Sequence, residues 1–563
     1  MAKHTEPKSM LSDRGYHWRG LGGWNLYFLL KLALLWYGYL NFHPFANLVF
    51  LAFLLFPLPS SHLHRLRNWL ALPIGLALFY YDTWLPGLNS IIHQRAMWSH
   101  FSPGYMLDLL QRFINWNMIG AALVIGVAYL FLAQWLRITT FTIAALIWVN
   151  LGTLGVPQLS LSADAQEAQE AQSSVTTRQE TASVSAGMTA AESSTADIPP
   201  QSAPPSNQNL NDWLNRFYAS EQQRQTHFPT VLPAGSQPFD LLILNICSLS
   251  WSDIDAVGLQ DHPLWKRMDI LFSDFNSATA YSGPAAIRIM RASCGQPSHK
   301  ALYSSVSTQC DLMANLAQLG FRQELALDHS GVFGDYLQHL RQYGNMQAPL
   351  SANTGLPNEL TSFDGEPIAN DLALLQRWLS STEKLGDTRS ASFINLITLH
   401  DGNRFIGSNR SADFKPRAQI LFDQLNSFLT ELEKSGRRVM VMIVPEHGAA
   451  VVGDKMQMAG LRDIPSPAIT HVPVGIIFSG MKAPAPTAPV IVSQPSSYLA
   501  LSELVARTLD GKIFSQPSVD WQALVQHLPQ SAVVSENDNA IVMMYQGKPY
   551  VRLNGGDWVP YPQ

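Results

Sequence analysis

Charge is scarce in this sequence. Asp, Glu, Lys and Arg make up 14% of the 563 residues, against roughly a quarter in soluble proteins, and the first third of the chain holds very few of them. There is no long basic run and the net charge is −5, which argues against nucleic acid as a partner. Cysteine is rarer still: Cys247, Cys294 and Cys310 are the only three, and an odd number in an oxidising compartment leaves one thiol unpaired. No cleavable signal peptide is apparent, so the first apolar stretch reads as a retained anchor. The mean hydropathy of +0.02 averages two unlike parts. The length suffices for a membrane part plus a large core.

What is present begins with five apolar stretches, at Asn25–Asn41, Pro44–Leu58, Trp69–Trp84, Met118–Leu136 and Ile138–Val156. A membrane crossing takes about 20 mostly apolar residues; the last two stretches meet that, and the second is short enough to be a re-entrant hairpin. Basic residues lie in the N-terminal tail (Lys3, Lys8, Arg14, Arg19), between Pro59 and Asn68 (Arg65, Arg67), and at Arg137. That bias places these segments in the cytoplasm and, over five crossings, everything after Val156 in the periplasm. Lys31, inside the first stretch, is expected to snorkel to the cytoplasmic headgroups. Tyr105–Ile114 has the spacing of a helix lying on the membrane surface or of an ordinary packing helix.

Residues 160–209 are Ala, Ser, Thr, Gln, Glu and Pro with almost no large apolar side chain, a composition that cannot offset chain entropy. Beyond them, continuous apolar runs at Phe239–Ile246 and Arg438–Val444 read as strands buried in a parallel sheet, with weaker strands at Ser392–Leu399 and Val472–Phe478. Helical patterns fall at Ala285–Arg291, Pro416–Lys434 and Ser496–Leu509. The expected organisation is a helical transmembrane domain at 1–157, with about five helices and a cytoplasmic N-terminus. A disordered periplasmic linker follows at 158–209, then a periplasmic α/β domain at 210–563 with a mostly parallel sheet.

In such sheets ligands collect at the carboxyl ends of the strands. Cys247 directly follows the first apolar run, and Glu446 and His447 directly follow the second. All three residue types ligate zinc, and adjacent strand ends would bring them together. Ser282 and Gly283 precede Pro284, a residue suited to the first turn of a helix. A hydroxyl at a helix start sits where backbone N–H groups favour a phosphate, although helix capping is the plain alternative for Ser282. Ser277, Thr279 and Tyr281 are rival hydroxyls nearby.

Together these features resemble the alkaline phosphatase superfamily and, with an N-terminal anchor, its phosphoethanolamine transferases. The runs NICSLSWSDI, SGPAAIR, RASCGQ, VPEHG, GLRDIPSP and PYVRLNGGDWVPYPQ resemble, more narrowly, the enterobacterial family of cellulose biosynthesis protein G, across all but the linker. The resemblance implies an enzyme of the bacterial inner membrane that moves phosphoethanolamine from phosphatidylethanolamine to glucose units of nascent cellulose. It further implies contact with cellulose synthase subunits. By position in the motifs, Cys247, Ser282, Glu446 and His447 become the Zn²⁺ shell, with Ser282 the nucleophile. His400 and Arg462 become contacts to the phosphate or leaving group, with Tyr281 beside them on the substrate. Cys247 stands where lipid-modifying relatives carry a carboxylate, and Glu446 where most carry Asp. Relatives place a histidine just after the His-Gly motif, where this chain has Arg462 and, further on, His471. That departure argues against a second metal.

In the periplasm Cys294 and Cys310 should pair across their polar, loop-like stretch; zinc ligation by the pair is the alternative. Two other functions compete with the one implied: the same chemistry on lipid A or another glycan, and a non-catalytic membrane scaffold of the secretion complex.

Overall fold

The computed structural model describes residues 20–37, 40, 42–58, 61–83, 116–153 and 200–562. They fall in two compact units. The first contains α1 (Trp24–Trp36), α2 (Pro44–Leu55), α3 (Ser61–Tyr81), α4 (Trp116–Leu132) and α5 (Ile138–Thr153), one helix for each apolar stretch. Pro44 opens α2, where its missing N–H costs nothing, and the segment is a single helix rather than a hairpin. Arg65 and Arg67, expected in a loop, belong to the first two turns of α3. Among the described residues no helix is long and apolar enough to cross a membrane. The surface helix expected at Tyr105–Ile114 lies outside the described residues.

Lys31 does not snorkel. It is fully buried and forms an ion pair with Asp82, which is equally buried. Its ammonium also donates to Asn47 Oδ1 at 2.7 Å and to the Tyr27 hydroxyl at 3.2 Å. Asp82 in turn accepts from Asn47 Nδ2 at 2.6 Å and lies 2.8 Å from His43 Nδ1. The reason for the difference is the partner: Asp82 follows the end of α3, so a lysine that looks isolated in its own stretch finds its counter-charge on another.

The second unit is built on a seven-stranded sheet. In chain order its strands are β1 (Asp240–Ile246), β2 (Ile270–Phe272), β3 (Arg322–Leu327), β6 (Ser390–Leu396), β8 (Val439–Pro445), β9 (Val474–Ser479) and β10 (Val490–Val492). Their spatial order is β10-β2-β9-β8-β1-β6-β3. Only β9 runs against the rest, antiparallel to both β2 and β8. Every residue of β1, β6 and β8 is buried. The strand period of two splits each into two cores. On one face Leu241, Ile243, Met440 and Met442 pack with Ile289 and Leu504; on the other Leu242, Leu244, Val441 and Ile443 pack with Trp378 and Leu425.

Two smaller sheets were not anticipated. β4 (Asn358–Thr361), β5 (Pro367–Ala369) and β7 (Arg404–Phe405) form one; β11 (Val534–Glu536), β12 (Ala540–Tyr545), β13 (Lys548–Leu553) and β14 (Trp558–Pro560) form the other, an antiparallel meander. Helix α6 (Asn207–Glu221) lays Leu210, Trp213, Leu214 and Phe217 against the meander, beside Val534, Met543 and Tyr545. Residues 200–209, expected to be linker, therefore belong to the fold. Ser206 caps α6 through the Asn209 N–H, and Gln201 donates to the Met544 carbonyl at 2.9 Å. Polar composition concealed this, because these side chains are used in caps and hydrogen bonds rather than in a core.

Candidate active site

Adjacent β1 and β8 are in parallel register, Ile246 opposite Pro445, so the residues that follow each strand emerge side by side. Cys247 and Glu446 continue the ladder, through Cys247 N–H to the Leu396 carbonyl and Glu446 N–H to the Ile246 carbonyl, both 2.9 Å. One residue on, Ser248 turns the chain at φ 68°, and Ala278 and Ala450 adopt φ 62° and 54° near Ser282 and His447. Left-handed non-glycine residues cost energy and collect at functional sites; all three site segments carry one. Ser250 and Asp253 then form a capping box that starts α7 (Trp251–Val257). The same Asp253 carboxylate accepts from the backbone of Ala449 and Val451, which fixes the His-Gly loop to the Cys247 loop.

The ligand atoms of Cys247, Glu446 and His447 lie within 4.8 Å of one another, all buried. Ser282 opens α8 (Ser282–Met290), and Tyr281, not Ser282, occupies the cap position. The Ser282 hydroxyl is therefore free of capping. It stands 3.4 Å from Cys247 Sγ and 3.3 Å from His447 Nε2, the spacing of neighbouring ligands each about 2.0–2.3 Å from one ion. His447 Nδ1 donates to the Gly448 carbonyl at 2.8 Å, which leaves the Nε2 lone pair facing the hydroxyl.

Glu446 is held from one side. Its Oε1 accepts from the Tyr336 hydroxyl at 3.1 Å and from Asn395 Nδ2 at 2.8 Å, and both donors also reach Asn245 Oδ1. Tyr336 begins α9 (Tyr336–Gln342). Glu446 Oε2 is buried without a hydrogen-bond partner, an arrangement costly unless a cation relieves it. Burial, with the Glu446 carboxylate adding to it, pushes the Cys247 thiol up to about 12. Burial also raises Glu446, and burial followed by the Arg462 charge holds His447 well below the usual histidine range. The set thus favours neutral groups when alone, and a coordinated cation reverses that preference. A thiol, a carboxylate oxygen, an imidazole and a hydroxyl converging in a buried place fit a zinc-type ion.

Arg462 Nη1 donates to Ser248 Oγ at 3.1 Å and lies 3.1 Å from His447 Nδ1. His400 lies against the Phe363 ring, centroids 4.8 Å apart, with Nδ1 donating to the Asp401 carbonyl at 2.8 Å. Burial, then the Arg462 charge, pulls its pKa down to about 4. The rival hydroxyls are all engaged: Ser277 donates to the Thr279 carbonyl, Thr279 to Asn537 Oδ1, and Tyr281 to Asp463 Oδ1. Cys294 and Cys310 form a disulfide and Cys247 is the free cysteine, so the pair does not join the metal set. Sequence reasoning missed Ser248, Tyr336, Asn395 and Asn537. Ser248 lay in a quoted motif; the other three act only through residues distant in the chain.

The fold and the site together define an α/β domain whose mostly parallel sheet carries a candidate metal-ligand set and a helix-start hydroxyl at its carboxyl edge. More narrowly, the chain belongs to the BcsG family of cellulose biosynthesis proteins. The family model described as "Cellulose biosynthesis protein BcsG C-terminal domain" matches residues 194–558, and its N-terminal counterpart matches residues 24–151. The chain is 57% identical over 563 residues to "Cellulose biosynthesis protein BcsG" of Salmonella typhimurium and 56% identical to that of Escherichia coli K12, covering 100% of both chains in each case. Among solved structures it is similar to the C-terminal periplasmic domain of EptC from Escherichia coli, at 12% identity over 57% of this chain and 96% of that one, with a TM-score of 0.40.

Proposed function

We propose that the chain is a zinc-dependent transferase that moves phosphoethanolamine from phosphatidylethanolamine to glucose hydroxyls of nascent cellulose. The observation that carries the chemistry is the uncapped Ser282 hydroxyl, 3.4 Å from Cys247 Sγ and 3.3 Å from His447 Nε2. Membership of a cellulose biosynthesis family supports the acceptor. Held by Cys247, Ser282, Glu446 and His447, Zn²⁺ would lower the pKa of the serine hydroxyl and offset charge on the phosphate.

Ser282 Oγ attacks phosphorus, the bond to the diacylglycerol oxygen breaks, and diacylglycerol leaves with the proton that Ser282 gave up. A phosphoethanolamine–serine ester remains. A glucose hydroxyl then attacks the same phosphorus, Oγ leaves, and the proton of the glucose hydroxyl returns to Ser282. Arg462 holds the phosphoryl oxygens, where charge accumulates. His400, whose Nδ1 donates to the Asp401 carbonyl, contacts the phosphate or the leaving group.

The membrane reading accompanies this one. The N-terminal unit anchors the enzyme in the inner membrane as a multi-pass domain, with the catalytic domain and its tether in the periplasm. The basic bias of Arg65, Arg67 and Arg137 supports that orientation, and the Cys294–Cys310 disulfide suits an oxidising compartment. There the enzyme meets its lipid donor and the cellulose synthase complex.

The full chain given phosphatidylethanolamine without acceptor is expected to gain the mass of one phosphoethanolamine group on the Ser282 peptide, and Ser282→Ala to gain none. Cellulose from cells carrying the chain should contain phosphoethanolamine while lipid A is unchanged. An adduct with modified lipid A and unmodified cellulose would keep the chemistry and reject the acceptor.

A further inference from the structure

Arg462 and Asp463 are consecutive residues of opposite charge, and a single buried side chain holds both. Asn537 Nδ2 donates to the carbonyl oxygens of Arg462 and Asp463 at 3.1 and 3.0 Å. Its Oδ1 accepts from Thr279 Oγ1 at 3.0 Å and from the Ala280 N–H at 3.1 Å. The amide has thus used its two donors and both lone pairs. The Arg-Asp pair and the segment leading to Ser282 are thereby held in one arrangement.

Each member of the pair then faces a group next to the nucleophile. The Arg462 guanidinium lies against Ser248 and His447, and His447 Nε2 lies 3.3 Å from Ser282 Oγ. Asp463 Oδ1 accepts from the hydroxyl of Tyr281 at 2.6 Å, and Tyr281 immediately precedes Ser282. Asp463 is half-buried, and among the described residues it forms no ion pair. A carboxylate beside a nucleophile that must attack an anionic phosphate is unfavourable by itself. It makes sense if the substrate brings a cation of its own.

Phosphoethanolamine is such a group: one anionic phosphate and one primary ammonium, two carbons apart. We propose that Asp463 binds the ammonium of the transferred group while Arg462 binds its phosphoryl oxygens, so that the Arg-Asp pair selects donors carrying a charged amine. This rests on the transferase reading above. Tyr281 orients the carboxylate and supplies a ring face to the ammonium. Asp463 is a specificity-determining residue, because it contacts the part of the donor that does not react.

The test compares two lipids with the same phosphodiester, phosphatidylethanolamine and phosphatidylethanol, which lacks the amine. Labelling of Ser282 in the full chain in detergent is followed by mass. The unaltered chain is expected to favour the amine donor by about ten-fold or more in kcat/KM, the scale of a charged hydrogen bond. Asp463→Asn keeps an acceptor for Tyr281 and removes the charge, and should bring the ratio of the two donors close to one. Equal labelling by both lipids in the unaltered chain, or a ratio unchanged in Asp463→Asn, overturns the assignment. Labelling by neither lipid sinks the transferase reading, and the assignment with it.

Discussion

The hydroxyl of Tyr336 donates to Glu446 Oε1 across 3.1 Å and so leaves Oε2 as the oxygen free to ligate. Partners of this kind orient a ligand and typically change metal affinity ten- to a hundred-fold. Tyr336→Phe, which keeps the ring packed, is expected to weaken zinc binding by about that factor, read by competition with a chelator. The melting temperature of the metal-free protein should change little. Unchanged affinity would mean that Tyr336 only fills space.

A ligand and a phosphate contact should separate experimentally. Cys247→Ala and His447→Ala are each expected to remove most of the bound zinc. Arg462→Ala should retain it and lose turnover by about a hundred-fold, as expected when a charge-stabilising donor is removed. Metal content by mass spectrometry and rate, measured on the same preparations, decide this. Stoichiometric zinc in the Cys247/His447 double variant would move the metal site elsewhere.

Asp269, 2% exposed, accepts from the Phe478 N–H at 2.7 Å, and burial pushes its carboxyl from 3.8 to about 7. The folded state thus keeps a proton that the unfolded chain loses near pH 4. Stability from this group is fully present below that point and falls as pH rises towards 7. Asp269→Asn, still able to accept from Phe478, should melt higher than the unaltered protein at pH 8 and equally at pH 4. A gain of the same size at both pH values would contradict the linkage.

Lys31 and Asp82 are both fully buried, and removing one partner strands the other. Asp82→Ala is expected to destabilise the N-terminal unit by about 3–5 kcal/mol, while replacing both by apolar residues of similar volume should recover most of it. Detergent thermal melts of the single and double variants supply the cycle. Equal loss in both would show that the pair is not the source.

The strands that carry the site were legible because a continuous apolar run followed by Cys, or by Glu-His, has few other readings. The helix start at Ser282 was legible through Pro284. The direction of β9 was not, since an apolar run looks the same whichever way it lies. The meander was missed because its strands are three to six residues long and partly exposed. The linker was drawn too far, to Asn209, because Gln201, Ser206 and Asn209 join the fold through hydrogen bonds and a helix cap rather than through buried apolar side chains. Lys31 was misread for want of its partner. Each miss turns on a contact between distant segments, which local pattern does not carry.

Asn537 lies between β11 and β12, 75 residues along the chain from Arg462 and 258 from Thr279. The tie between the arginine loop and the serine loop therefore depends on the meander, whereas Cys247 and Glu446 are brought together by the β1–β8 ladder. A meander that loosens would leave the candidate ligands gathered and let the arginine drift from the serine, so alignment and metal binding are separable properties of this fold.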